Sequence, residues 1–150
     1  MQKSKSFGRL ISILYRQGTM YFHKKTGPYG LGHGQIPVLM YVVKKGEVTQ
    51  HQICNYFQLD KGTTSTLTRS LEKNGFILKK QDSHDKRSSW LLITDKTRNL
   101  LPELKEIFKE WTSILTNDFT EDEKKIAFNL LNRMIENSME YLQMKEKNES

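Results

Sequence analysis

The chain has one cysteine, Cys54, in 150 residues, which excludes an internal disulfide framework and a multi-cysteine zinc site. No apolar run approaches the roughly 20 residues that a membrane-spanning helix needs. No charged-then-apolar leader opens the chain, so a cytoplasmic protein without a membrane partner is expected. No Gly-rich phosphate loop follows a strand, there is no G-x-S-x-G, and no His and acid stand at a catalytic spacing. No catalytic residue, metal site or cofactor is therefore expected. Acids are scarce at the start: residues 1 to 59 carry one against 8 Lys and Arg, 60 to 98 carry 5 against 9, and 103 to 150 carry 11 against 7. The net charge of +7 is thus concentrated in the first two-thirds, a distribution that favours a polyanion on one side of the molecule. Ordinary solubility charge is the alternative account.

Apolar residues are present at helical spacing. Phe7, Leu10, Ile11, Leu14, Tyr15, Tyr21 and Phe22 predict an amphipathic helix over 6 to 25. The Gly-rich "TGPYGLGHG" breaks it, and "QIPVLMYVVKK" reads as a buried helix that ends at Gly46 and has Pro37 in its first turn. Thr49 and Gln52 form a capping box for the short helix "QHQICNYF". Asp60 caps the next helix, which Gly75 terminates. "FILKK" and "SWLLIT" flank the polar "QDSHDKRS" as a hairpin with a charged tip. Two long helices follow, the second opening on Thr120, and residues 146–150 read as a frayed tail.

A short helix pair followed by a hairpin is the pattern of a winged helix-turn-helix. In the helix from Asp60, Leu67 and Leu71 set the buried direction with Thr64 beside them, and the opposite face presents Gly62, Ser65, Thr66, Arg69 and Lys73. Hydroxyls bond phosphates or base edges, arginine pairs bidentately with guanine, and glycine lets a backbone come close. An ordinary solvated face has the same composition. The wing tip adds Asp82, Asp85, Lys86 and Arg87. Arg87 suits a narrow minor groove, with Asp85 placed to hold its planar fork. Charges there also discourage edge-to-edge strand pairing.

Three stretches, "LGHGQIPVL" (31–39), "LDKGTTSTLTRSLEKNGFI" (59–77) and above all "DSHDKRSSWLLIT" (82–94), resemble the MarR family of winged helix-turn-helix transcriptional regulators. The similarity spans roughly residues 7 to 142. It implies one mainly α subunit over 1–150 with a small β-hairpin wing: a DNA-binding lobe over about 31–98 and dimerisation helices over about 6–25 and 99–145. It further implies a homodimeric repressor at a pseudo-palindromic operator in double-stranded DNA, with a small aromatic or anionic effector as the releasing ligand. Carried over by position, Ser65, Thr66 and Arg69 match recognition-helix contacts, Lys61 and Lys73 their backbone neighbours, and Asp85 and Arg87 the wing, with Lys86 between them a further candidate DNA contact. The chain departs from the family at Leu31-Gly32, where the usual hydroxyl before the second helix is missing. It departs again at Thr64, where Val or Leu is common and where some core burial is expected to be lost. The first helix has no cysteine of the peroxide-sensing kind.

His51 and Cys54, three apart, supply only two ligands, and a buried thiol is the preferred reading of Cys54. Tyr15, Tyr21, Phe22, Tyr29 and Tyr41, with Arg16 or His33, are candidates to line an effector pocket or, alternatively, the core and dimer interface. The other readings of the whole are a winged-helix module that docks an acidic protein and a constitutive DNA binder without an effector.

Overall fold

Ser6 opens the first helix by accepting the Arg9 amide at 3.3 Å, and α1 (Phe7–Thr26) follows. The structure, a computed structural model, describes residues 6–149, with side chains to residue 143. After a 3-10 turn at Gly27–Tyr29, α2 (Gln35–Lys45) accommodates Pro37 in its first turn, where a missing N–H costs no helical bond. It stops at Gly46, whose φ of 85° suits a residue without a Cβ. Gly34 stands at the N-cap of α2 with no side-chain cap, in line with the missing hydroxyl.

Strand β1 (Glu47–Val48) precedes α3 (Gln50–Phe57). Thr49 and Gln52 make both bonds of the capping box. The next helix, α4 (Lys61–Lys73), begins at the Asp60 cap and gives way to Gly75 at φ 78°. Strands β2 (Ile77–Gln81) and β3 (Ser89–Ile93) pair antiparallel, Ile77 opposite Ile93 and Lys80 opposite Trp90. The expected two-stranded hairpin is in fact a three-stranded sheet ordered β1-β3-β2, because Val48 pairs with Leu91 on the far side of β3.

α5 (Asp95–Leu115) continues through the exposed Pro102, and α6 (Glu121–Glu149) starts from a reciprocal Thr120–Glu123 cap. The helix runs to Glu149. Ser150 lies outside the described residues.

Two compact units divide the chain, one through Trp111 and one from Thr112. The core of the first joins Leu31, Leu39 and Val42 to Ile53, Leu71, Phe76 and Leu91, all nearly inaccessible. Each such side chain contributes about 1.5–3 kcal/mol by leaving water. This packing fixes α4 and the wing on one scaffold. In contrast, α1 leaves Phe7, Leu10, Ile11 and Leu14 exposed, and α6 leaves Ile126, Phe128, Leu131, Ile135 and Leu142 exposed.

Candidate nucleic-acid interface

The cap of α4 is where the candidate surface begins. Asp60 Oδ1 accepts the Thr63 amide and Oδ2 the Thr63 hydroxyl, both at 2.7 Å. The Thr63 amide, then its hydroxyl, holds the carboxyl below the usual carboxylate range. A Cβ on Gly62 would come within 3.3 Å of Asp60 Oδ1, so the glycine protects this cap as well as leaving the first turn open.

Lys61, Gly62, Thr66, Arg69 and Lys73 are exposed and Ser65 is half-buried. Thr66 donates back to the Gly62 carbonyl at 3.0 Å, and Arg69 Nη2 lies 3.4 Å from Ser65 Oγ. The helix thus presents hydroxyls and two cations on one side. Thr64 departs from expectation: it is fully buried, its hydroxyl donating to the Asp60 carbonyl at 3.0 Å and accepting from Cys54 Sγ at 3.2 Å. No burial is lost there, because the hydroxyl is satisfied within the α3–α4 contact. One turn on, the buried Thr68 accepts Gln50 Nε2 at 3.0 Å.

Further bonds tie α4 and its C-terminal cap to the start of α2, the loop before it and α5. Gln35 Nε2 donates to Ser70 Oγ at 2.5 Å while its Oε1 accepts the Gly32 amide at 3.1 Å. Asn74 Nδ2 reaches the Gly30 carbonyl at 3.2 Å, and Lys96 Nζ reaches the Asn74 carbonyl at 2.7 Å. Sequence reasoning missed these contacts, of which Gln35–Ser70, Asn74–Gly30 and Lys96–Asn74 join residues far apart in the chain.

At the wing, Asp85, Lys86 and Arg87 are exposed. Asp85 Oδ1 accepts the backbone N–H of Arg87 at 2.9 Å, so it orders the main chain under the arginine rather than gripping its guanidinium, as had been expected. Asp82 does more than its place in the tip suggested. It takes the His84 amide at 2.8 Å and the Trp90 indole N–H at 2.9 Å, and these two bonds, the amide first, keep its carboxyl below the usual range.

A second feature is a hollow of about 230 Å³ lined by Tyr15, Gly18, Phe22, His33, Phe108 and Trp111, among others. Tyr15 Oη and His33 Nε2 stand 2.9 Å apart. Of the aromatic set, the structure brings only Tyr15 and Phe22 here. Tyr21 stacks on Trp111 at 4.8 Å and hydrogen-bonds Glu110. Burial, then the Glu110 bond and charge, push its phenol up to about 12. Tyr29 bonds Glu103, Tyr41 stacks on Tyr56 at 4.3 Å, and Arg16 bonds Ser12. His51 pairs with Asn55, and no group of three or more metal-ligating side chains occurs among the described residues.

Residues 29–88 match the model of the MarR family. The HTH-type transcriptional regulator BilQ of Clostridioides difficile (strain CD3) is 30% identical over 120 residues, 80% of this chain and 81% of that protein. The chain belongs to the MarR family. It is therefore a helix-turn-helix transcriptional regulator, not an enzyme. A MarR transcriptional regulator from Methanosarcina mazei Go1 superposes with a TM-score of 0.83 at 36% identity, over 89% of this chain and 96% of that one. A MarR-family regulator from Listeria monocytogenes, solved with a 26mer DNA, gives 0.85 at 25% identity, over 95% of each chain. Among the described residues no helix is long and apolar enough to cross a membrane.

Proposed function

We propose that this MarR-family chain is a homodimeric repressor that binds a pseudo-palindromic operator, with α4 in the major groove and the wing in the adjacent minor groove. The observation that carries the reading is the outer face of α4, where Ser65, Thr66, Arg69 and Lys73 stand clear of a core built from the same helix's Leu71, Thr64 and Thr68. Ser65, Thr66 and Arg69 meet base edges; Lys61 and Lys73 meet phosphates beside the open backbone of Gly62. Lys86 and Arg87 enter the minor groove over the turn that Asp85 orders. The Listeria relative's binding of a 26mer DNA supports this use of the fold.

The DNA-binding lobe is residues 31–98. Dimerisation uses α1 and the segment 99–145, where Phe7, Leu10, Ile11 and Leu14 on α1 and Ile126, Phe128, Leu131 and Ile135 on α6 offer exposed apolar side chains for a partner to cover. A small aromatic or anionic effector occupies the hollow beside Tyr15 and His33, whose rings and polar pair offer stacking surface and hydrogen bonds. The protein acts in the cytoplasm.

Binding of an operator duplex at increasing salt, combined with sedimentation of the free protein, tests the reading. A dimer whose log K falls against log salt with a slope of roughly −6 to −10 fits phosphate neutralisation by both subunits. A shallow slope contradicts it and favours a module that docks an acidic protein.

A further inference from the structure

We infer that Trp90 and Asp82 are positioning residues that aim the wing's Arg87 at DNA, an inference that rests on the reading above. The tip between β2 and β3 contributes nothing to the core: from Asp82 to Trp90 no residue is buried. Yet it is highly ordered by hydrogen bonds. Asp82 N–H donates to the Ser88 carbonyl at 3.0 Å, closing the tip at its base. The Asp82 carboxylate then spreads across the loop, one oxygen on the His84 amide and the other on the Trp90 indole. Its partner Trp90 lies on the sheet face away from the buried Leu91, opposite Lys80.

A second set of bonds continues from there. Gln81 Nε2 donates to the Lys86 carbonyl at 3.0 Å, Ser88 N–H to the Asp85 carbonyl at 3.0 Å, and Arg87 N–H to Asp85 Oδ1. The main chain on both sides of Arg87 is thereby fixed while its side chain remains exposed. A half-buried indole donor near the tip end of the central strand contributes only one hydrogen bond to folding, but it removes freedom from a loop that must otherwise be ordered on the DNA. Ordering a contact loop before binding spares the complex that entropy loss. Trp90 is the strut, Asp82 the joint, and Arg87 the group that benefits.

The test uses the full chain and two duplexes of equal length, one A·T-rich and one G·C-rich, at low salt. Trp90→Phe keeps an aromatic ring and deletes the N–H; Asp82→Asn weakens the joint from the other side. Each is expected to weaken binding to the A·T-rich duplex roughly three- to tenfold, to narrow the preference over the G·C-rich one, and to lower the thermal midpoint by no more than a few degrees, as loss of one hydrogen bond does. Arg87→Ala is expected to collapse the same preference, and Trp90→Phe added to it is expected to cause no further loss. Trp90→Phe binding like wild type while Arg87→Ala does not, or fully additive losses in the double variant, would overturn the positioning role alone. Arg87→Ala binding like wild type would instead remove the wing reading on which the inference rests.

Discussion

Thr64 and Thr68 sit one turn apart on α4, both fully or almost fully buried, and the same substitution by valine should affect them differently. At Thr68 the hydroxyl is the acceptor for Gln50 Nε2. Valine fills the volume but leaves a half-buried amide without that acceptor, at a cost of about 1–2 kcal/mol. At Thr64 the hydroxyl's partners need it less. The Asp60 carbonyl keeps the Thr64 amide at 3.1 Å, and the Cys54 thiol is a weak donor. Thr64→Val should therefore change stability by less than about 0.5 kcal/mol, the added methyl offsetting the lost bonds. For a chain of this length, Thr68→Val should lower the melting temperature by roughly 2–8 °C and Thr64→Val by about 2 °C or less. Thermal unfolding at one fixed protein concentration, needed if the protein is an oligomer, measures both. Equal losses, or a larger loss at Thr64, would refute the reasoning about which hydroxyl the α3–α4 contact depends on.

Arg69→Ala removes the central cation of the α4 face and should weaken operator binding by about 1–3 kcal/mol while relaxing preference at one base pair per half-site; competition binding to single-substituted operators reads both, and an unchanged profile would remove Arg69 from base reading. The carboxyls of Asp60 and Asp82, held low chiefly by the Thr63 and His84 amides respectively, stabilise the α4 cap and the wing above the unfolded value near ~4 and cease to do so as pH falls through their lower folded values. NMR shifts of those two amides should accordingly titrate with midpoints below that of an ordinary aspartate carboxyl; a midpoint at or above the ordinary value would contradict the bonds described.

What was legible in the sequence is what is local. The Thr49–Gln52 box, the Asp60 cap and the stops at Gly46 and Gly75 each depend on residues within a turn of one another, and all are present. The helical period correctly placed Leu71 inward and Arg69 outward. β1 was not legible, because two residues carry no alternation and gain their partner from a strand more than forty residues later. The same holds for Gln35–Ser70 and Asn74–Gly30, which depend on where distant segments pack. Thr64 misled for another reason: burial of a hydroxyl looks costly until its acceptor and donor are known. In the wing, Asp85 was read as holding the arginine's fork and Asp82 was given no separate role, whereas both order the backbone and Arg87 extends from it.

The central claim is that the α4 face and the wing read DNA sequence as a symmetric pair. Selection of bound duplexes from a randomised pool by the purified protein, sequenced over several rounds, tests it most directly. The account predicts enrichment of an inverted repeat with half-sites about one helical turn apart. A pool that stays random through the rounds would contradict it and leave the basic face with charge attraction alone.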